Sequence, residues 1–324
     1  MRGIYYDGTK AIYREDLPMP VRREDESLIR ILYANICNTD KEILRGYRPD
    51  FRGVMGHEFV GTVVESSDPS LVGRTVVGEL NRGCGTCIYC RTGREKHCLS
   101  REVPGMSKDG CFAEYMSLAT HLLHEVPEGL PARTAVFTEP LAAALQITKQ
   151  VHFDSTQNAA IIGDGRLAYM TAQVLALTGI DLTVIGKHPE KLAAFEPFAR
   201  TALLRDYCEG DIYRSLTAEE CFEYVVEASG QESGIHLALQ IVRKMGTIIL
   251  KSTYAGNASL DLSLIPVGEI TIVGSRCGPF PPALKLLASG RVRFPETELY
   301  DLSDYEAAFA STAFKAGFAV VKSS

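Results

Sequence analysis

The stretch "NAAIIGDGRLAYMTAQVLALTGIDLTVIG", residues 158–186, decides the fold of the second half of this chain of 324 residues. A short apolar run reaches a glycine-rich turn, and a long series of helix-forming residues follows it. Gly179 ends that series just before a second apolar run. Strand, helix and strand in this order predict one βαβ unit.

The turn inside this unit, "GDGRLA", fits the pattern G-x-G-x-x-[G/A]. In that pattern the first glycine, here Gly163, makes a tight turn, and the second, Gly165, lets backbone amides approach a pyrophosphate. A small last residue, Ala168, lets the helix pack closely against the strand. Arg166 and Leu167 fill the variable positions. Glycine-rich turns are common, but a place between a strand and a helix favours dinucleotide binding over a plain turn.

The end of the second strand bears on which dinucleotide would bind. NAD sites usually carry Asp or Glu there, which binds the ribose hydroxyls. This strand ends in Gly186, Lys187 and His188, and Asp181 lies at its opposite end. A lysine at this strand end, together with the absence of a carboxylate there, favours NADP over NAD. The plain alternative is that Lys187 and His188 are solvated loop residues.

Further apolar runs follow the βαβ unit at residues 221–230, 246–253 and 269–275, and a helical stretch separates the first two. This alternation predicts an α/β fold with a parallel, doubly wound sheet.

The first 125 residues are instead short apolar runs broken by turns. The runs at 27–36, 58–66 and 73–80 predict strands of a β-rich barrel or sandwich. Between the two halves, "PARTAVFTEPLAAALQITKQV", residues 131–151, predicts a helix. The last 25 residues, 300–324, predict an amphipathic helix and a closing strand.

The loop "GCGTCIYCRTGREKHC" carries four of the nine cysteines, with the spacing C-x2-C-x2-C-x7-C. Four thiolates close a tetrahedron around zinc and leave no position for substrate, which suits a structural role. A disulfide framework fits poorly with an odd cysteine count and a reducing compartment, and iron–sulfur clusters usually have other spacings. The predicted ligands of this structural zinc are Cys84, Cys87, Cys90 and Cys98.

A second set of residues can hold a metal that keeps an open position. Cys37 follows a predicted strand, His57 and Glu58 begin the next one, and Glu139 stands just before a helix. Each residue has a plain alternative, as a buried apolar cysteine, a core histidine or a charge at a helix N-terminus. Together they supply a thiolate, an imidazole and carboxylates, which suit zinc.

Composition excludes several classes of partner. A formal net charge of −6 gives no basic surface for nucleic acid. The charges are scattered and no apolar stretch approaches the about 20 residues of a membrane helix, so no membrane partner is expected. The N-terminal residues lack the apolar core of a signal peptide, and a cytoplasmic location is therefore expected.

Five motifs follow one another along the chain: "ICNTDKE", "GHEFVG", the cysteine loop, "EPLAAA" and "GDGRLA". In this order they resemble the zinc-dependent medium-chain dehydrogenase/reductase family, and within it the branch of polyol, sugar and threonine dehydrogenases. The resemblance covers nearly the whole chain. It implies a GroES-like catalytic domain with a structural zinc lobe at 1–140, a Rossmann domain at 141–277, and a C-terminal return at 278–324 that completes the catalytic domain.

The resemblance also implies one catalytic and one structural zinc. The catalytic ligands would be Cys37, His57 and either Glu58 or Glu139, because the two acidic positions can exchange at the metal in relatives. Thr39 would be the hydroxyl that accepts the proton of the substrate.

This chain departs from the family pattern in three places. Asn38 replaces the usual glycine, and Glu42 stands where many relatives carry a relay histidine, so that Glu42 would pass the proton outward. The segment 195–221 is also short, which affects the contacts to the adenosine end of the cofactor.

The implied reaction moves a hydride between a small alcohol, polyol or sugar and NADP or NAD, with zinc lowering the pKa of the substrate hydroxyl. The implied assembly is a homodimer or homotetramer. Two alternatives are a zinc-independent quinone or enone reductase on the same fold, and a dinucleotide-binding protein without activity. The predicted metal ligands argue against both.

Overall fold

The computed structural model describes residues 1–209, 212–213, 216–253 and 258–321. The chain divides into two compact units. The first joins Met1–Glu139 to Pro279–Ser324, and the second is Pro140–Gly278. The boundaries expected from the sequence lie one residue from these. Among the described helices, none combines the length and the apolar character needed to cross a membrane.

The chain begins with eight strands and four helices: β1 (Gly3–Tyr6), β2 (Ala11–Arg14), β3 (Glu26–Asn35), α1 (Asn38–Leu44), β4 (Gly53–Val54), β5 (Glu58–Ser66), β6 (Thr75–Gly78), α2 (Ile88–Arg91), β7 (Tyr115–Ala119), β8 (Leu123–Glu125), α3 (Ala132–Ala135) and α4 (Thr138–Gln150). The second unit continues with β9 (Asn158–Ile162), α5 (Arg166–Ala176), β10 (Asp181–Gly186), α6 (Pro189–Leu192), β11 (Arg200–Leu203), β12 (Cys208–Glu209), β13 (Ile212–Tyr213), β14 (Phe222–Glu227), α7 (Glu232–Ile241), β15 (Val242–Leu250), α8 (Leu264–Gly268) and β16 (Thr271–Gly274). The C-terminal part of the first unit adds α9 (Phe280–Ala288), β17 (Glu298–Tyr300), α10 (Tyr305–Ala310) and β18 (Ala316–Ala319).

Strand β3 is central to the β-rich first unit. Strands β5, β7 and β18 all pair with it in antiparallel fashion. The larger sheet has the order β17-β18-β3-β5-β6-β8, and a smaller one has the order β2-β1-β4. Ile29 and Ile31 of β3 share a buried core with Phe112 and Phe318. The C-terminal strand therefore completes a core that the N-terminal strands begin.

The second unit contains a parallel sheet with the order β11-β10-β9-β14-β15-β16. Successive residues of β9 face opposite sides of it. Ala159 and Ile161 share a cluster with α5, whereas Ala160 and Ile162 share a cluster with α7. Because both faces of the sheet are covered, its strands are apolar on both sides. The predicted fold class, a β-rich domain and a doubly wound parallel sheet, is confirmed.

The single helix predicted over 131–151 is divided into α3 and α4 in the structure. Pro140 explains the break, because within a continuous helix its ring would clash with the carbonyl of Val136. Thr138 begins α4, and its hydroxyl donates to the Ala135 carbonyl at 2.6 Å. Proline is tolerated in the first turn of the new helix, where its missing N–H has no partner to lose.

Candidate functional site

The register of two strands brings three possible metal ligands together. Cys37 follows β3, while His57 and Glu58 stand at the beginning of β5. Asn35 of β3 pairs directly with Glu58. As a result the ligand atoms of Cys37, His57 and Glu58 lie within 4.8 Å of one another. Among the described residues, Glu139 does not belong to this group; it lies in the first turn of α4.

Asp40 connects two of these possible ligands and was not among the residues predicted from the sequence. Its carboxylate is fully buried, accepts the Cys37 backbone N–H at 2.8 Å, and lies 3.2 Å from Nδ1 of His57. Burial would lower the pKa of His57, but the charge of Asp40 and contacts with Asp40 and Cys37 raise it well above its usual value. The available signal was the acidic residue three positions after the residue that caps α1.

Glu58 has a buried cationic neighbour, which was not predicted from the sequence either. Nζ of Lys315 lies 2.6 Å from Oε2 of Glu58, and both side chains are at most 3% exposed. Neither Glu58 oxygen accepts a hydrogen bond of good geometry from the described residues. A buried carboxylate with lone pairs left over, beside a thiol and an imidazole, fits a zinc site that keeps one position open.

The two predicted proton-handling residues lie on α1. The hydroxyl of Thr39 accepts from the Cys37 thiol, with Sγ and Oγ1 3.6 Å apart. The carboxylate of Glu42 pairs with Arg45 Nη1 at 2.7 Å. Thr39 is therefore adjacent to a ligand of the group, whereas Glu42 is bound to a cation of its own helix.

The cysteine loop also forms a group. The sulfur atoms of Cys84, Cys87, Cys90 and Cys98 lie within 4.8 Å of one another. Hydrogen bonds, first from the Thr86 hydroxyl, lower the pKa of Cys84 to about 6. Burial and the neighbouring thiols raise the pKa of Cys90 to about 12. Four sulfur atoms this close together fit a cation that would hold all of them as thiolates.

Buried Glu26, the first residue of β3, anchors this loop at both ends. It accepts from Nη1 of Arg82 at 2.7 Å, just before the loop, and it pairs with Lys108 beyond it. Burial would raise the pKa of Glu26, but hydrogen bonds from Lys108 and from the Arg23 backbone lower it. The loop is thereby tied to the central strand that also leads to Cys37.

The glycine-rich turn has the geometry that its pattern predicts. Gly163 has φ +125°, and a side chain there would begin 2.8 Å from the Ala228 carbonyl oxygen. A Cβ on Gly165 would meet nothing within 4 Å, so the backbone that caps α5 is open to a ligand. Ala168 is fully buried against the sheet. Arg166 and Leu167 form the first turn of α5 and are half-buried.

A carboxylate does lie at the end of β10, but it belongs to Asp164 of the glycine-rich turn. Oδ2 of Asp164 accepts the backbone N–H groups of Lys187 and His188 at 2.8 and 2.9 Å, and it contacts His188 Nδ1 at 2.8 Å. Gly186 itself is buried, and Lys187 and His188 are exposed. The role of Asp164 could not be predicted from the sequence, because the pattern leaves its position variable.

Comparison with known proteins identifies the family. The alcohol dehydrogenase GroES-like domain matches residues 23–128. An uncharacterized zinc-type alcohol dehydrogenase-like protein of Haemophilus influenzae is 30% identical over 302 residues, which cover 90% of this chain and 88% of that protein. The erythritol/L-threitol dehydrogenase of Mycolicibacterium smegmatis is 26% identical, with 94% and 92% covered.

A solved structure agrees in fold. A putative zinc-binding dehydrogenase from Sinorhizobium meliloti, bound to NADP, superposes with a TM-score of 0.88 at 22% identity and covers 98% of this chain and 99% of its own. The GroES-like domain and the Rossmann-like sheet expected from the sequence are thus confirmed, as is the resemblance carried by the five motifs. The chain belongs to the zinc-dependent medium-chain dehydrogenase/reductase family.

Proposed function

We propose that this protein is a zinc-dependent dehydrogenase that moves a hydride between a small secondary alcohol or polyol and a nicotinamide dinucleotide. The observation that carries the proposal is the group of half-buried Cys37 and buried His57 and Glu58, with ligand atoms within 4.8 Å of one another. The polyol class is supported by relatives such as the erythritol/L-threitol dehydrogenase.

Two zinc sites with different tasks are proposed. Three protein ligands of mixed type leave one position for substrate, and Cys37, His57 and Glu58 are such a set. Glu139 is the alternative carboxylate. The four cysteines of the loop form a closed shell, which suits a structural zinc.

The residues around the open site hold the ligands and handle a proton. Bound there, zinc supplies a Lewis acid that lowers the pKa of a substrate hydroxyl. Asp40 beside Nδ1 of His57 favours the tautomer whose lone pair is on Nε2, the atom that a metal takes. Thr39, next to Cys37, accepts the proton from the substrate, and Glu42 is the proposed next acceptor.

The turn of the second unit is the proposed cofactor site. The space beside Gly165 is open at the N-terminus of α5, which favours a pyrophosphate there. Of the residues at the tip of β10, Gly186, Lys187 and His188 favour NADP from their sequence alone. The carboxylate of Asp164, at the same strand end, also affects the preference between NADP and NAD.

Counting zinc per chain tests the open site. We expect two zincs in the wild type, one in Cys37→Ser, and two in the control Cys221→Ser, which makes the same change in the other unit. Wild type and control should oxidise polyols with NAD or NADP, and Cys37→Ser should lose this activity. One zinc in the wild type that survives Cys37→Ser would contradict the proposal and favour a zinc-independent reductase.

A further inference from the structure

The position of Asp164 raises a question about the choice of cofactor. In NAD-binding sheets of this type an acidic residue at the end of the second strand binds the adenosine ribose. Strand β10 ends in Gly186, which has no side chain. A Cβ built on Gly186 would lie 2.8 Å from Cβ of Asp164 and 2.9 Å from its Oδ2. The Asp164 side chain therefore fills the space where a side chain at the end of the strand would start.

The carboxylate of Asp164 accepts hydrogen bonds from the donor groups that would otherwise attract an anion. The backbone N–H groups of Lys187 and His188 both donate to Oδ2 of Asp164. Nδ1 of the His188 ring donates to the same oxygen. A 2′-phosphate at this tip would compete for the same donors, and it would also meet a negative charge. The exposed Lys187 side chain would then be the cation left for it.

The groups around Asp164 stabilise the ionised form of its carboxylate. Its side chain is 11% exposed. Burial would raise its pKa, but the hydrogen bonds from His188 and Lys187 lower it. All three contacts from the described residues converge on Oδ2. Oδ1 can therefore accept a hydrogen bond from a ribose hydroxyl.

We propose that Asp164 determines cofactor specificity: its carboxylate replaces the missing acid at the end of β10, binds the ribose hydroxyls and excludes a 2′-phosphate, so that NAD is preferred over NADP. This inference rests on the proposed dinucleotide site. It reverses the preference that Gly186, Lys187 and His188 suggest from sequence, because the deciding carboxylate comes from another part of the chain.

Titration of the purified enzyme with NADH and NADPH tests the proposal. We expect the wild type to bind NADH about tenfold more tightly than NADPH or better, since one charge-assisted contact is worth about a factor of ten. Asp164→Asn should move the ratio of the two dissociation constants toward NADPH by about tenfold or more, because the amide neither repels a phosphate nor binds the ribose as strongly. The matched control is Asp181→Asn, at the opposite end of β10, which should leave the ratio unchanged.

A second measurement needs no variant. Adenosine 2′,5′-bisphosphate should displace NADH from the wild type about tenfold less effectively than AMP. A wild type that prefers NADPH, or an Asp164→Asn variant with an unchanged ratio, would overturn the inference while leaving the dinucleotide site in place. Failure of the wild type to bind either cofactor would instead contradict the proposed function.

Discussion

At the scale of single residues, the proposed zinc site of Cys37, His57 and Glu58 has a buried neighbour, Asp40, that is not one of the proposed ligands. Asp40 holds the Cys37 backbone through one oxygen and faces His57 with the other. Such partners fix the orientation of metal ligands, and their loss typically lowers metal affinity by about 10–100-fold.

We therefore expect Asp40→Asn to weaken zinc binding at the open site by about 10–100-fold without affecting the cysteine loop. Competition with a chelator, followed by zinc release per chain, measures this. The control is Glu42→Gln on the same helix, whose partner is Arg45 and which should keep the affinity of the wild type. Equal affinities of Asp40→Asn and the wild type would show that His57 and Cys37 are positioned without Asp40.

At the scale of elements, the sequence predicted features that depend on local spacing better than features that depend on pairing between distant strands. The βαβ unit and the cysteine loop are local patterns, and the predicted residues indeed lie together. The meeting of Cys37 with His57 depends on how β3 pairs with β5. Ligand chemistry and the resemblance to a family suggested it, but no local pattern did. Lys315 could not be found beside Glu58, since a lysine in an apolar segment carries no signal of its partner.

The anchoring of the cysteine loop by β3 gives a prediction about pH. Glu26 has a lowered pKa in the folded state, so the stability it contributes is present above its unfolded value of about 4.3. That contribution is lost as the pH falls through the lower folded pKa. We expect Glu26→Gln to cost about 2 kcal/mol of unfolding free energy at pH 7, because charge-assisted hydrogen bonds to Arg82 and Lys108 are weakened.

Urea unfolding at pH 7 and near pH 3 measures this difference, which should shrink as the pH falls below about 4.3 toward the lower folded pKa. Glu24→Gln is the control, because Glu24 is exposed and should change the free energy by less than about 0.5 kcal/mol. A Glu26→Gln penalty that stays constant down to about pH 3 would indicate that shape rather than charge holds the loop.

At the scale of the whole molecule, the two ends of the chain build one unit. Gly317 of β18 pairs with Asn35 of β3, two residues before Cys37, and Lys315 reaches Glu58. The sequence indicated a closing strand, and the family resemblance implied that the C-terminal return completes the first domain. The partner strand was not predicted, because pairing between distant segments leaves no local pattern. Residues from both ends of the chain therefore adjoin the proposed zinc site of Cys37, His57 and Glu58.

Phe318 packs this C-terminal strand into the core of the first unit. It is fully buried, and its ring meets that of Phe112 edge-on, with centroids 5.0 Å apart. We expect Phe318→Ala to lower the unfolding free energy by about 3–5 kcal/mol, the usual cost of removing a buried aromatic ring. It should also weaken zinc binding at the open site, because β18 borders the strand that leads to Cys37. Urea unfolding and zinc competition measure the two effects, and Val21→Ala, at an 89% exposed position of the same unit, is the control. If Phe318→Ala lost stability but bound zinc as the wild type does, the metal group would be independent of the C-terminal strand, and β3 and β5 alone would hold it.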